Sequence, residues 1–359
     1  MTDSHVSLVI PRLDAKPWGG RKLGRYGLDL PADEGIGEAL VTAGEAIVSV
    51  GDGAGQTLQQ LIDADPDGRL GARAREAVSG RNIFPLLAKL IDAAENLSIQ
   101  VHPDDEGARP LNRLGKTEAW HVLDAEPGAK LYLGLKDGVT LDRFMENARK
   151  LDGTSAGDLR EVEARAGETV IIPAGTVHAL GAGVMVYEIQ QPSDVTFRLD
   201  DWGRVDAQGN PREMHLEQGE AATRVELRPE PIEPVRLDET RTLLAACRYF
   251  ALEKLDLDAG VTRRIGSDQG PEVLTLLSGS VIMQTSLETI RLSPGASGIV
   301  WPSQDGATVS AGEPSIVLRA WVPDLAADIV ESARASGATD EQILALGGMT
   351  TDLRDILAR

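Results

Sequence analysis

Residues 166–180 read AGETVIIPAGTVHAL, which is a glycine turn, a short β-branched run, a proline, a second glycine turn and a histidine. Residues 294–308 read PGASGIVWPSQDGAT and repeat that order without the histidine. Short strands with glycine and proline at their corners are typical of barrels and sandwiches rather than of alternating βαβ units. The repeat therefore predicts a mainly β protein with a duplicated barrel.

Further strand-like segments surround the two motifs. They are short, rich in β-branched or aromatic residues, and separated by Gly, Pro and Asp turns. They cover residues 6–11, 36–50, 119–125, 129–135, 184–190, 195–202, 249–257, 272–284, 289–302 and 315–323.

Two regions have helical periodicity instead. In residues 56–95, Leu58 and Leu61, and later the apolar residues from Phe84 to Ile91, recur at helical spacing, and Pro85 suits a first helical turn. The C-terminal region is also helix-like, with Thr339 or Asp340 as a cap. The predicted division is a metal-binding barrel at residues 1–55 and 96–235, a helical insertion at 56–95, a second barrel without metal at 236–323, and a helical tail at 324–359.

Composition excludes several classes of protein. The 359 residues carry a formal net charge of −20, which argues against binding to nucleic acid or to an anionic membrane surface. The one cysteine, Cys247, lies in an apolar strand-like run, so we expect a buried packing thiol in a reducing compartment. The N-terminus has no secretory pattern and no apolar run is long enough to span a bilayer, so we expect a cytoplasmic protein.

Four side chains in three short motifs could bind a metal. In LSIQVHPDD (residues 97–105), Gln100 and His102 face one side of a strand because residues i and i+2 do. Glu118 in GKTEAW and His178 in the opening motif complete the set. Two neutral imidazoles, a carboxylate and an amide oxygen suit Zn²⁺ or a similar ion and leave positions for water or substrate. The alternation that turns Glu118 inward turns His121 away, towards a structural role.

Two basic residues could face the same space. Lys116 lies two residues before the candidate carboxylate, and Arg198 lies in VTFRLDDWGR (residues 195–204). An arginine inside a cavity needs an anionic partner, because burying it unpaired is costly. Asp200, Asp201 or Glu188 could be that partner, or else a substrate phosphate or a developing oxyanion. His215 lies in a polar stretch and is assigned no role.

These motifs, together with AKPWGG (residues 15–20), resemble the type I phosphomannose isomerases in their shorter bacterial form. The resemblance is dense from about residue 96 to 204 and faint beyond residue 240. It implies two cupin-type (jelly-roll) barrels with a helical insertion, of which one barrel holds one zinc ion. The chain departs from the family pattern in two ways: it reads GKTE where longer members have KPE, and it has a helical tail. The ligands it implies are Gln100, His102, Glu118 and His178.

The resemblance also implies an aldose–ketose isomerase that interconverts mannose 6-phosphate and fructose 6-phosphate through a cis-enediol. Zinc would act as a Lewis acid, and Arg198 would be the catalytic arginine. Lys116, Glu188 or a zinc-bound water could move the proton, and the phosphate could rest on Ser98, Lys116 or Arg198. Two other classes stay open: an Fe(II) oxygenase built on a facial triad, and a phosphosugar-binding protein without turnover.

Overall fold

The computed structural model describes residues 5–205 and 208–358 and is mainly β. Within those ranges the chain forms 23 strands. They are β1 Val6–Ile10, β2 Arg12–Gly20, β3 Ile36–Leu40, β4 Ile47–Gly51, β5 Leu87–Ala93, β6 Ile99–Val101, β7 Glu118–Ala125, β8 Lys130–Leu135, β9 Leu159–Glu163, β10 Thr169–Ile172, β11 His178–Leu180, β12 Val184–Gln190, β13 Phe197–Asp200, β14 Val235–Arg236, β15 Arg241–Ala246, β16 Ala251–Leu257, β17 Thr262–Ile265, β18 Glu272–Ser278, β19 Val281–Gln284, β20 Thr289–Leu292, β21 Ser297–Val300, β22 Ala307–Ala311 and β23 Ser315–Trp321.

Helices are short and lie between or after the strands. The α-helices are α1 Leu58–Ala64, α2 Pro66–Ala77, α3 Asp105–Ala108, α4 Leu141–Ala148, α5 Leu216–Ala222, α6 Ser332–Ala335, α7 Asp340–Ala345 and α8 Asp352–Leu357. Three 3-10 segments and one π-helical segment complete the set: Lys22–Tyr26, Arg109–Leu111, Thr154–Asp158 and Leu325–Glu331.

The strands form four antiparallel sheets. A six-stranded sheet, β10-β7-β12-β5-β2-β3, faces a five-stranded sheet, β13-β6-β11-β8-β9, across an apolar core that includes Trp120, Leu133 and Val186. An eight-stranded sheet, β14-β15-β16-β23-β18-β21-β1-β4, and a four-stranded sheet, β17-β22-β19-β20, share a second core that includes Leu274 and Val309. The run β10-β7-β12-β5 of the first set matches the run β21-β18-β23-β16 of the second.

The N-terminal strands do not all belong to the first set. β1 pairs with β21 from Val6↔Val300 to Val9↔Ser297, and β4 pairs with β1. Val6 packs into the core of the second set, and Val9 packs into the large cluster between the sets. Assigning residues 1–55 wholly to the first barrel is therefore wrong for β1 and β4, because β1 pairs with β21 and β4 with β1, which places both strands in the eight-stranded sheet.

The predicted helical insertion is correct only in its first half. Helices α1 and α2 cover residues 58–77, and α1 begins with a capping box between Thr57 and Gln60. Residues 87–93, in contrast, form β5 between β12 and β3. The predicted helix that includes Pro85 and Ile91 is therefore wrong. Both faces of β5 are covered, so apolar residues occur at successive positions and not only at alternate ones.

The C-terminal region is largely helical, and Thr339 caps α7 as predicted, with a capping box to Gln342. Ile329 and Leu353 from this region are buried in the cluster between the sheets. Cys247 is also buried there, and burial raises the pKa of its thiol to about 12, so it is a packing residue as expected. None of the helices in the described ranges has the length and apolar character needed to cross a membrane.

Candidate active site

Three of the predicted metal ligands lie together in the interior. One ligand atom from each of His102, Glu118 and His178 lies within 4.8 Å of the others, and all three side chains are buried. Glu118 Oε2 lies 3.5 Å from His102 Nε2, and Glu118 Oε1 lies 3.3 Å from His178 Nε2. Two imidazole nitrogens therefore face the two oxygens of one carboxylate.

Strand register brings the fourth predicted ligand, Gln100, to the same place. In β6, Gln100 is the direct partner of His178 in β11, while Val101 points into an apolar core. Gln100 Nε2 lies 3.3 Å from His178 Nε2, and turning the amide by 180° would present Oε1 at that position. All four predicted ligands are thus brought together.

Backbone carbonyls fix the tautomers of both rings. His102 Nδ1 donates to the carbonyl of Val195 at 2.9 Å, and His178 Nδ1 donates to the carbonyl of Thr176 at 2.9 Å. Burial lowers the pKa of His178 to about 4, and burial together with Lys116 lowers the pKa of His102 well below its usual value. Both rings are therefore neutral and present the Nε2 lone pair, as metal ligation requires.

The carboxylate of Glu118 supports the same interpretation. Its Oε1 is buried without a hydrogen-bond donor among the described residues, and burial raises its pKa to about 7 against the opposing effect of Lys116. Lys116 Nζ lies 2.8 Å from Glu118 Oε2 and 2.9 Å from His102 Nε2. The imidazole nitrogens and the carboxylate oxygens are all acceptors, and they face one another in a buried site. A divalent cation would satisfy them, so the residues present fit a metal.

A tight loop positions Lys116. Its backbone N–H donates to the carbonyl of Pro103 at 3.0 Å, and the N–H of Gly115 donates to Asp105 Oδ1 at 2.8 Å. A Cβ on Gly115 would lie 2.5 Å from the backbone nitrogen of Asp105, so this approach requires glycine. The loop therefore holds the lysine by backbone contacts to the segment that follows β6.

Lys116 and Gln100, which contact the cluster, also line a cavity of about 420 Å³. Ser98, Gln100, Lys116 and Arg198, all predicted to act on substrate or metal, line this cavity. We call it the first cavity. It is large enough for a sugar phosphate and places the predicted substrate-binding residues beside the predicted metal ligands.

Arg198 has none of the carboxylate partners proposed from the sequence. Asp201 accepts bonds from Arg204 and Arg212, and Asp200 accepts from Ser155. The Nη1 of Arg198 donates to the carbonyl of Glu213 at 2.8 Å, while its Nε is buried and without a partner among the described residues.

The surroundings of Arg198 disfavour its positive charge. Burial, and secondarily the neighbouring charge of Arg212, lower the pKa of Arg198. Both arginines line the first cavity. This wall of the cavity is therefore positively charged and suits an anion.

Lys89, which was not predicted from the sequence, lines the first cavity from β5. Its Nζ lies 3.0 Å from Glu188 Oε1, and Trp120 Nε1 donates to Glu188 Oε2 at 2.8 Å. Burial opposes ionisation of Glu188, yet Lys89 and Lys116 lower its pKa to about 2. Lys89 was not predicted because its segment was assigned to a helix. As a strand, the segment would have placed Lys89 on one face with Leu87 and Ile91.

The remaining histidines lie outside the cluster. His121 is buried, and its Nδ1 lies 2.8 Å from Thr169 Oγ1, so its structural role is as predicted. His215, which was assigned no role, donates its N–H to the carbonyl of Arg198 at 2.8 Å and accepts the Arg198 N–H at Nδ1 at 3.3 Å. It therefore holds the strand that carries the cavity arginine.

Known proteins match most of the length of this chain. Residues 8–122 match the family model of the phosphomannose isomerase type I catalytic domain. The chain is 33% identical over 261 residues to the mannose-6-phosphate isomerase ManA of Bacillus subtilis, covering 70% of this chain and 79% of that protein. It is 32% identical over 299 residues to the mannose-6-phosphate isomerase of Streptococcus mutans, covering 79% and 88%.

Solved structures give the same result for the fold. The crystal structure of the mannose 6-phosphate isomerase from B. subtilis matches with a TM-score of 0.76 and 27% identity, over 89% of this chain and 100% of that one. A zinc-bound mannose 6-phosphate isomerase matches with a TM-score of 0.71 at 17% identity, over 88% and 99%. The mainly β fold is that of these enzymes, and the chain belongs to the type I phosphomannose isomerase family.

Proposed function

We propose that this protein is a metal-dependent isomerase that interconverts mannose 6-phosphate and fructose 6-phosphate through a cis-enediol. The observation that carries the proposal is the cluster of His102, Glu118 and His178, which contacts Lys116 on the wall of a cavity that also holds an arginine without a carboxylate partner among the described residues. Family membership supports the same reaction, since relatives that match over most of their length are named mannose-6-phosphate isomerases. The proposed substrate is a small phosphosugar, and the proposed compartment is the cytoplasm.

The proposed cofactor is one zinc ion per chain. Gln100, His102, Glu118 and His178 would hold it, and the set of two imidazoles, one carboxylate and one amide suits zinc. A bound zinc ion would supply Lewis acidity to the carbonyl and hydroxyl oxygens of an open-chain sugar. The carbonyls of Val195 and Thr176 would keep the two rings in the ligating tautomer.

Arg198 would stabilise the negative charge that develops on the substrate oxygens. It is the direct strand partner of Gln100, so it stands beside the proposed ligands. Its side chain lines the first cavity and has no carboxylate partner among the described residues, so its guanidinium group is available to the substrate. Ser98, which lies two residues before Gln100 and lines the first cavity, would bind the phosphate together with the positive wall.

Lys116 would move the proton between C1 and C2. Its Nζ is buried beside Glu118 and His102, so it is the basic group that lines the cavity nearest to the proposed ligands. Glu188 is the competing group, but its pKa of about 2 and its contacts to Lys89 and Trp120 make it a weak proton acceptor. We therefore assign Glu188 to positioning Lys89 and Trp120.

The two other classes are less well supported. An Fe(II) oxygenase would use the same two histidines and carboxylate, and a non-catalytic protein would bind a phosphosugar without turnover. The relatives named above favour neither. Metal analysis of protein purified without chelator, together with oxygen consumption, would distinguish the oxygenase.

The decisive experiment is an assay of fructose 6-phosphate formed from mannose 6-phosphate, before chelation, after chelation, and with zinc restored. We expect turnover that is lost on chelation and recovered with zinc. Protein loaded with zinc but inactive on this substrate would contradict the proposed function.

A pair of variants makes the assay specific to the cluster. Glu118→Gln removes one charge at nearly constant volume, and we expect it to lose both bound zinc and turnover. His121→Gln changes a buried histidine three residues away that lies outside the cluster, and we expect it to keep both. Equal zinc content in the two variants would exclude Glu118 as a ligand.

A further inference from the structure

The two residues that flank Lys116 are held by hydrogen bonds that converge on Asp105. The N–H of Gly115 donates to Asp105 Oδ1 at 2.8 Å, and the side-chain amide of Gln191 donates to the same oxygen at 3.1 Å. Gln191 in turn accepts the N–H of Thr117 at 2.9 Å, and its own N–H donates to the carbonyl of Thr117 at 3.1 Å. Asp105 therefore fixes the backbone immediately before and immediately after the lysine.

The carboxylate at the centre of this network is more exposed than the groups it holds. Gly115, Lys116, Thr117 and Gln191 are buried, whereas Asp105 is half-buried. A partly exposed carboxylate gains conformational freedom by turning towards solvent unless both of its oxygens have partners. The partner of the second oxygen of Asp105 thus decides whether the first oxygen stays in contact with the loop.

That partner is Tyr249, which lies in the turn between β15 and β16. Its hydroxyl donates to Asp105 Oδ2 at 2.6 Å, and no other group among the described residues bonds to this oxygen. Burial, together with the neighbouring carboxylate, raises the pKa of the Tyr249 hydroxyl, so it stays protonated and donates. A hydroxyl that donates to a carboxylate makes a short, strong hydrogen bond. This bond joins the eight-stranded sheet to the segment that follows β6.

The helical tail supports the turn that carries Tyr249. The N–H of Arg248 donates to Asp352 Oδ2 at 3.0 Å, and Arg248 Nε lies 3.3 Å from Asp352 Oδ1, at the start of α8. The Arg248 guanidinium group also lies over the Tyr249 ring, 5.1 Å from its centroid. The N–H of Ala246, at the end of β15, donates to the carbonyl of Leu346 at 2.9 Å. The tail therefore holds the tyrosine on both sides of the turn.

We propose that Tyr249 is a positioning residue for Lys116. Its hydroxyl fixes the rotation of the Asp105 carboxylate, and Asp105 holds the loop on both sides of the lysine. This inference rests on the proposed role of Lys116 in proton transfer, a step that tolerates little displacement of the reacting groups. Tyr249 does not line the first cavity, so it acts through this chain of hydrogen bonds and not on the substrate.

Tyr249→Phe removes the hydroxyl and keeps the ring, so it tests the hydrogen bond alone in the full-length, zinc-loaded protein. We expect kcat to fall at least about fivefold, with KM within about twofold of the wild-type value and zinc content unchanged. A purely structural role would lower the free energy of unfolding but leave the kcat of the folded enzyme unchanged. Wild-type kcat in Tyr249→Phe would therefore overturn the proposal.

Tyr132→Phe is the matched control for the loss of a hydroxyl. The Tyr132 ring packs against Trp202, its hydroxyl makes no hydrogen bond to another described residue, and it does not line the first cavity. We expect wild-type values of kcat, KM and zinc content in this variant.

Hydrogen–deuterium exchange followed by mass spectrometry gives a readout that does not depend on catalysis. Peptides that cover residues 113–120 report on the amides of Gly115 and Thr117. We expect these amides to exchange at least about threefold faster in Tyr249→Phe, and at the wild-type rate in Tyr132→Phe. Wild-type protein without turnover would contradict the proposed function, yet the exchange rates would still test the contact. In that case, equal exchange in the two variants would exclude Tyr249 from holding the loop.

A double variant tests whether Tyr249 acts through Asp105. Adding Tyr249→Phe to Asp105→Ala should change kcat by less than about twofold, because the group that the hydroxyl orients is already absent. A further fall as large as that in the wild-type background would show that the hydroxyl acts elsewhere, contrary to the proposal. If Asp105→Ala does not fold, the comparison of Tyr249→Phe with Tyr132→Phe decides the question by itself.

Discussion

Among the lysines and arginines that the structure describes around the first cavity, Arg198 is the one without a carboxylate partner. The sequence placed it on the right face of its strand but could not show that Asp200 and Asp201 are used by other groups. The grouping of the four candidate ligands was predictable because strand alternation puts Gln100 and His102 on one face and the family resemblance adds Glu118 and His178. The partners of Asp200 and Asp201 were not predictable, because they depend on contacts between segments far apart in the sequence.

Arg198→Ala should lower kcat at least about tenfold with no change in zinc content, because the proposed role of Arg198 is to stabilise developing charge and it is not among the proposed ligands. Steady-state kinetics and metal analysis of the same sample measure both quantities. Arg165→Ala, an exposed arginine paired with Glu163 and Glu168, is the control and should behave like wild type. A raised KM with unchanged kcat would instead place Arg198 in substrate binding alone.

His121 should make the free energy of unfolding depend on pH. Burial, and secondarily Lys254, lower its pKa to about 4 in the folded state, while the unfolded value is about 6.5. The unfolded chain then binds a proton that the folded chain does not, so stability is full above pH 6.5 and falls as the pH drops towards 4. Between pH 7.5 and 5 the loss should be about 2 kcal/mol.

Urea unfolding of wild type and His121→Gln at both pH values measures this contribution. Other groups titrate equally in the two proteins, so the difference between them isolates His121. Chelator in all samples removes any contribution from metal release. The same pH dependence in both proteins would show that His121 does not contribute.

At the scale of elements, β5 shows why an incorrect helix assignment left Lys89 out of the predicted cavity lining. Its apolar residues fall on both faces because β5 lies inside a sheet covered on both sides, and such a run resembles helical spacing by chance. Lys89 is the polar exception, and it lines the first cavity. Helices α1 and α7, in contrast, were predictable because their caps are local.

The loop before β7 should be intolerant of side chains. In Gly115→Ala, the new Cβ would meet backbone atoms of Asp104 and Asp105 at 2.6 and 2.5 Å, so the loop must shift. We expect a loss of about 1–3 kcal/mol in the free energy of unfolding, with lower turnover because Lys116 moves with the loop. Chemical denaturation and kinetics measure both.

Gly157→Ala provides the matched control for that loop. A Cβ on Gly157 meets no other atom within 4 Å, so its stability should change by less than about 0.5 kcal/mol. Similar behaviour of the two alanine variants would show that the loop can rearrange freely.

At the scale of the whole molecule, the two sets of sheets alternate along the chain and pack on one apolar cluster. β1 and β4 from the N-terminal region complete the eight-stranded sheet, and the cluster combines residues such as Leu58, Tyr187, Phe250 and Leu353. The repeated motif predicted duplication, but it carried no information about strand exchange between the copies, because β1 lies nearly three hundred residues from its partner, Val6↔Val300.

A fragment of residues 1–235 should therefore fail to fold alone. It would leave one edge of β1 unpaired and expose the apolar cluster between the sheets. We expect no dispersed amide spectrum and no cooperative urea transition for the fragment, whereas the full chain should show both. Coexpression with residues 236–359 should restore structure. A fragment that unfolds cooperatively by itself would show that the first set is an independent domain.

The pairing of β1 with β21 also sets the order of events on the ribosome. β1 can meet β4 early, but its other neighbour, Ser297–Val300, is translated nearly three hundred residues later. At ordinary rates of synthesis, that interval is on the order of 15–60 s. During this time the nascent chain presents an open strand edge, so β1 stays unprotected on that side long after it has been translated.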